Sequence, residues 1–427
     1  MNNEPNRKKA PEIHQISSIN IPVLETGCLK NGIRYNLLKG GSQELIYIEL
    51  VFNAGTTYSN QTLIASTTNI MLVEGTRHHT AQQIADTFDF YGADLRTDSN
   101  FDHAIVGLFC LNKYLDKLLP LFCEIIEESI FPESELKTII ADKKHQHVVN
   151  QEKTSILANT AMYKLTFGDH PYARRAELPD YDKVTSQLLQ QFHARHYCAS
   201  NCRLMILGYV TDDVMKSIDT NIGGLGIGQK VELAETPIAT SIDTKPKIIK
   251  KSQTVQSSLR MGMRTIKMNH PDYHKLSMLV TILGGYFGSR LMSNIREEKG
   301  YTYGIYSQLS PQLQSGLLII AGDVKSGYSL QVADEVRNEM KRLKDEPVGE
   351  DELTIVRNYM MGELLQLFDG PFACSEAIAK AIDMGVGINY FKEEQKSILT
   401  TTATELQEIA NKHFDFDQLT TAIAGNE

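Results

Sequence analysis

Two stretches, FHARHYCASNCRLMILG (192–208) and IANKHFDFDQLTTAIAG (409–425), each close one half of the chain and align at a single offset. His196 matches His413, Tyr197 matches Phe414 and Gly208 matches Gly425, all 217 positions apart. The same offset carries FPESEL (131–136) onto VGEDEL (348–353). Each of these follows a long stretch with apolar residues at helical spacing, Tyr114–Ser129 in the first half and Tyr328–Leu343 in the second. Several matches at one offset point to a duplicated domain. The length agrees, since 427 residues are too many for one ordinary core and suit two lobes of about 200 residues each.

Within the first half, IRYNLLKGG and ELIYIELVFNAG alternate or run apolar as strands do, whereas TAQQIADTFDFYG (80–92) carries helix punctuation. Thr80 and Gln83 make a capping box, Ile84, Phe88 and Tyr91 share a face, and Gly92 supplies the stop. The order of strands, helices, strands and long helices recurs in the second half. The predicted fold class is α+β, two duplicated lobes, each an antiparallel sheet backed by helices on one side. We expect an N-terminal tail over 1–20, a first lobe over 21–222, a linker over 223–253 and a second lobe over 254–427. The linker's GGLGIGQK (223–230) fails the phosphate-loop pattern because Gln229 stands where the Lys should be, so an inter-lobe hinge is the expectation.

A net charge of -9 leaves no basic footprint for nucleic acid, and an acidic surface would suit basic peptides. No run of eighteen apolar residues occurs, so no membrane partner is expected, and MNNEPNRKKAPEIHQ (1–15) has basic residues without an apolar stretch after them, which reads as cytoplasmic. The six cysteines, Cys28, Cys110, Cys123, Cys198, Cys202 and Cys374, are dispersed, and free thiols are expected rather than a disulfide framework. Cys198 and Cys202 have no second Cys or His pair to complete a zinc site.

The stretch GGYFGSRLMSNIREEKGYTYGIYSQL (284–309) resembles the second-lobe signature of the insulinase-like metallopeptidases, also called pitrilysin-type or inverzincin enzymes. NAGTTYSN (53–60), LVEGTRHHTAQQIADTFDFYGADL (72–95) and YKLTFGDHPYAR (163–174) look like the family's first-lobe landmarks in order, so the resemblance covers nearly the whole chain. It implies a zinc bound through H-x-x-E-H on a first-lobe helix, where i and i+4 put both His on one face and the Glu acts as general base, with a further Glu from a later helix. In IASTTNIMLVEGT (64–76), Ser66 and Ile70 stand at the two His positions and Asn69 at the base. Gln146, 76 residues after Ile70, stands at the third ligand. No metal is expected in this chain, because isoleucine offers no donor and an amide takes no proton from water. His145 and His147 are two apart and point to opposite sides of a helix, so they do not rescue the site, and His78, His79, His193 and His196 read as surface or structural histidines.

Arg296 and Tyr303 occupy the places of the family's second-lobe Arg and Tyr, with Gly300 breaking the helix between them. The resemblance implies that such a pair reaches the zinc site of a facing lobe and holds the substrate backbone and the developing oxyanion. Donors kept while the metal is lost imply a non-catalytic subunit of a heterodimeric zinc peptidase. On that reading a homologous H-x-x-E-H-bearing subunit carries the zinc, this chain supplies Arg296 and Tyr303 in trans, and an extended peptide is the substrate. A homodimer stays open. The alternative is a peptide-binding or scaffolding protein without proteolysis, which explains the lost metal and leaves the retained pair unexplained. An autonomous enzyme with relocated ligands is the third reading, and it is disfavoured.

Overall fold

The computed structural model describes residues 16–238 and 243–427. Eleven strands are present among them: β1 Glu25–Cys28, β2 Arg34–Lys39, β3 Leu45–Phe52, β4 Asp94–Ser99, β5 Ala104–Leu111, β6 Cys202–Gly208, β7 Lys247–Lys250, β8 Gln256–Thr265, β9 Thr302–Pro311, β10 Gly316–Lys325 and β11 Thr420–Gly425. They form two sheets, ordered β1-β2-β6-β3-β5-β4 and β7-β11-β8-β10-β9. From β2 in one sheet and β7 in the other the order is the same, so the duplication holds strand by strand. Neighbours are antiparallel except β2 with β6 and β7 with β11, each of which joins strands from the two ends of a lobe.

The helices repeat as well. Ser186–His196 and Ala403–His413 are both 11 residues long, and Glu133–Asn150 and Glu350–Leu367 are both 18. The capping box at Thr80 forms as the sequence predicts, Ile84 and Phe88 are buried, and Gly92 closes the turn with a φ of 60°.

The expectation of helices on one side of each sheet needs correction. Ile46, Ile48, Leu50 and Phe52 of β3 enter the core beneath their own lobe's helices. The opposite faces are covered by the other half of the chain. Helix Thr154–Phe167 crosses to the second sheet, where Met162 and Phe167 join Leu317, Ile319 and Ala422 in a separate apolar cluster. A Cβ on Gly262 of β8 would lie 2.4 Å from Met162 Sδ and 2.7 Å from Thr166 Oγ1, so the close approach of this helix requires glycine there. Reciprocally, Phe372 meets Phe109 of β5, and Asp383, at the end of helix Ser375–Asp383, pairs with Arg203 of β6. The physical reason is legible in retrospect. Apolar runs such as Leu204–Leu207, with all four residues fully buried, belong to strands with no solvent face.

The lobes are also latched through the landmark His170–Tyr172. The Tyr172 hydroxyl donates to Asp102 Oδ1 at 3.0 Å and accepts from Gln314 N at 3.0 Å, while Leu313 N donates to Asp102 Oδ2 at 3.1 Å. Burial pushes the Asp102 carboxyl up from its ordinary value.

The segment boundaries differ from expectation at both ends of the linker. Residues 225–228 are docked on the first lobe, with Ala199 N bonded to Gly226 O at 2.9 Å and Ser200 N to Ile227 O at 2.8 Å, so the glycines serve as a strap and not as a hinge. At the far end, β7 is already a strand of the second sheet. Tail residues 16–20 are likewise ordered against the second lobe, where Ile19 is buried and its N–H donates to Gln395 Oε1 at 2.9 Å. Residues 1–15 lie outside the described residues. Among the described residues no helix is long and apolar enough to cross a membrane.

Candidate functional site

The positions that the resemblance matches to the family's zinc helix lie on helix Ile64–Met71, which starts after Leu63 in the left-handed conformation (φ 71°). Ser66 Oγ donates to Leu63 O at 3.3 Å, bonding back along its own chain. Asn69 is fully buried and fully used: its Nδ2 donates to Asp98 O at 2.7 Å and Ile105 O at 3.2 Å, and its Oδ1 accepts from the Tyr197 hydroxyl at 3.0 Å. This is a job for an amide. A carboxylate at 69 would set its oxygens against two carbonyl oxygens, so the residue at the base position is a structural tie between helix and sheet. Ile70 offers only alkyl carbon. Gln146 is exposed and donates to Asn150 Oδ1 at 3.0 Å along its own helix instead of reaching the facing one.

What bridges the two helices is a pair that sequence reading missed. Lys143 Nζ donates to Thr67 Oγ1 at 3.0 Å, and burial lowers the Lys143 ammonium to about 8. A lysine three residues before Gln146 shares its helix face, which is the signal that could have found it. A hydroxyl, two amides, an alkyl chain and an ammonium do not fit zinc, which needs imidazole, thiolate or carboxylate donors. No group of three or more His, Cys, Asp or Glu suited to a metal occurs among the described residues. Restoring Ser66→His, Asn69→Glu, Ile70→His and Gln146→Glu is therefore expected to give weak zinc binding. Adding Lys143→Met should tighten it about tenfold by removing a cation from beside the metal. Competition with a chromophoric chelator measures both variants, and equal affinities would show that Lys143 does not bear on the site.

The histidines are occupied elsewhere. His79 Nδ1 lies 2.8 Å from Glu124 Oε1, His78 Nε2 3.2 Å from Glu128, His193 Nε2 2.6 Å from Ile126 O and His196 Nδ1 2.9 Å from Asn53 O. His145 is exposed, and the His147 ring packs against Tyr181 with centroids 5.5 Å apart. All six cysteines are free.

The second-lobe pair is arranged differently. Helix Met292–Glu298 is wound in wide turns and ends before Gly300, whose φ of 65° turns the chain into β9. Opposite the start of β9 the register with β10 slips between Gly322 and Val324, and Thr302 Oγ1 ties the irregularity by donating to Asp323 O at 2.6 Å. Such a bulge re-aims the side chain beside it. Tyr303 is 89% exposed, and the Arg296 guanidinium lies 4.5 Å over the ring of Phe287, itself 64% exposed. Arg296 and Tyr303 line one open concavity of about 680 Å³ with Val255, Gln256 and Lys325, and second-lobe residues form all of it. The structure thus brings Arg296 and Tyr303 together, and the helix carrying Ser66, Asn69 and Ile70 takes no part in their concavity.

A duplicated two-lobe fold, with a cationic and phenolic pair displayed on one concavity of the second lobe, is the arrangement of a peptidase-like class of proteins. Residues 40–180 match the insulinase family, peptidase family M16, and residues 183–360 match the peptidase M16 inactive domain. The chain belongs to the insulinase (M16) peptidase family. It is 26% identical over 412 residues to an uncharacterized zinc protease of Rickettsia bellii, covering 93% of this chain and 96% of the relative. It is 22% identical over 398 residues to the non-peptidase homolog YmxG of Helicobacter pylori, covering 89% of each. The peptidase M16 inactive domain from Pseudomonas fluorescens superposes with a TM-score of 0.88 at 23% identity, covering 95% of this chain and 98% of that one.

Proposed function

We propose that this chain is the non-catalytic subunit of a two-chain zinc peptidase. A homologous partner bearing H-x-x-E-H carries the zinc and the general base, and this chain presents Arg296 and Tyr303 to the partner's site. The observation that carries the reading is the placement of these two donors. Both line one concavity, Tyr303 exposed and Arg296 half-buried, while the positions that would make the chain self-sufficient are a serine, a structural amide, an isoleucine and a surface glutamine. Within this chain the pair has nothing to act on. In the assembled pair, the guanidinium and the phenol hold the backbone carbonyl of an extended peptide and stabilise the oxyanion that develops on it, while enclosure between subunits excludes water and strengthens both interactions.

The scaffold reading has its own support in β9, an outer strand of its sheet with Tyr303 and Tyr306 exposed, because an outer strand takes up an extended peptide by strand addition wherever its edge is free. The two readings part on a single reconstitution. The purified chain is expected to hold no stoichiometric zinc and cleave nothing, and mixing it with an H-x-x-E-H homologue from the same genome is expected to produce cleavage of a quenched peptide that neither chain gives alone. A tight peptide complex without cleavage in any mixture would favour the scaffold. About one zinc per chain, lost in His145→Ala or His147→Ala, would overturn both.

A further inference from the structure

In the second lobe, helices Tyr273–Val280, Glu350–Leu367 and Asn389–Thr400 enclose a cavity of about 400 Å³ against Ser307–Leu309 of β9. It is separate from the concavity of Arg296 and Tyr303, and the proposed peptidase role does not use it. Glu394 faces this cavity from helix Asn389–Thr400 and has no hydrogen-bond or ion-pair partner among the described residues. No Lys, Arg or His lines the space; Glu363 adds a second carboxylate. The walls beside Glu394 are aromatic: the Tyr273 and Tyr390 rings lie 6.4 Å apart, and Tyr359, packed on Tyr286 at 5.3 Å, is part of the same lining.

A half-buried carboxylate without a partner still carries part of the cost of leaving water, which a bound cation would offset. Aromatic walls, a carboxylate within and no competing cation suit a positively charged organic group, which gains both the ion pair and the attraction of the ring faces. Bare calcium or magnesium is a poor fit, because hard cations require six or more oxygen ligands and only Glu363 and Glu394 offer carboxylates here. The volume suits one side chain or a small amine. We propose that this cavity is a binding site for an organic cation, an alkylammonium or guanidinium group, with Glu394 as its counter-ion and Tyr273 and Tyr390 as its aromatic wall.

The chemistry predicts a pH signature. Burial alone raises the Glu394 carboxyl to about 7. The groups around it do not offset this. Tyr273 and Tyr390 are buried phenols whose pKa is itself raised, and His274, stacked on Tyr390 at 4.4 Å, is held neutral by burial and leans to Glu393 at 4.0 Å. The titratable groups that the facing helix brings to the lining are Glu363 and Tyr359, and β9 brings Ser307, Gln308 and Leu309, none of them charged. A cation therefore binds the ionised form, so affinity is full above pH 7 and falls as the carboxyl takes up its proton below it.

Titration calorimetry of the full chain with agmatine, whose guanidinium stays charged throughout, tests the site. Binding at pH 8 is expected to weaken about tenfold at pH 6, the change expected for a carboxyl titrating near 7. Glu394→Gln should weaken it at least about tenfold at pH 8 and abolish the pH dependence, as loss of a charged hydrogen bond does. Tyr359→Ala, at a half-exposed ring, gives a second variant that does not disturb the buried carboxylate. A blocked Gly-Ala-Arg-Ala-Gly peptide that binds better than agmatine would assign the cation to a partner's basic side chain, and the reverse order would assign it to a free amine. Equal agmatine binding by wild type and Glu394→Gln, or no binding by wild type at about 10 mM, a level at which even the weakest specific sites fill, would overturn the proposal.

Discussion

In the reconstituted two-chain peptidase, Arg296→Ala and Tyr303→Phe are each expected to lower turnover about 10–1000-fold, corresponding to roughly 1.4–4 kcal/mol of lost transition-state stabilisation by analogy with oxyanion donors. The size follows from where the donors stand. Neither side chain has a hydrogen-bond partner of its own among the described residues, and Tyr303 is 89% exposed, so neither contributes to the folded core. Their energy is available to a ligand. Once the concavity is closed by a second subunit, a guanidinium and a phenol meet the developing charge without having to be reoriented, and the loss falls on kcat more than on KM. Stability should change by less than about 0.5 kcal/mol in either variant, as for surface substitutions generally. Turnover of a quenched peptide and the melting temperature are recorded together, with assembly checked by size exclusion. Unchanged turnover in an assembled complex removes the trans-acting role and leaves Arg296 as a partner of Phe287 alone.

The largest effect on stability is expected at the crossing between lobes, from Asp383→Ala. The Asp383 carboxylate accepts from Arg203 Nε of β6 and lies 3.8 Å from His103 Nδ1, with side-chain exposures of 13% for Asp383 and 16% for Arg203. Removing it leaves the guanidinium with Ala379 O at 3.4 Å, and Arg203 Nη1 already lacks a partner among the described residues. Breaking one side of a largely buried pair costs about 3–5 kcal/mol, and the residual water contact here lowers the expectation to about 2–4. Because the pair joins helix Ser375–Asp383 to the first sheet, the loss should also loosen the lobes and expose the strap and linker to proteases. Asp213→Ala is the matched control. Its pair with Lys216 is 2.9 Å long at 90% and 76% exposure, and its loss should leave urea stability unchanged within error. Equal effects of the two substitutions would show that the inter-lobe pair does not hold the lobes.

The sequence by itself determined the features that depend on local pattern and register. The duplication was readable from matches at one spacing, and the structure returns it as two helix pairs of equal length and as five strands in the same order in each sheet. The capping box at Thr80 and the break at Gly300 needed only residue identity and position, because capping and backbone propensity are properties of the residues themselves. Tertiary structure alone decided the rest. That helix Thr154–Phe167 leaves its own lobe to cover the other sheet depends on contacts between residues far apart in the chain, such as Thr166 with Thr420, which no local period encodes. That Asn69 is a tie between helix and strand, and not just a lost base, depends on the carbonyls of Asp98 and Ile105 arriving above it. Lys143 is an unremarkable lysine in sequence, and Glu394 one acid in a polar run; packing withdraws both from water and gives each its shifted proton affinity. Charge is written in the sequence, but the dielectric around it is made only when the chain folds.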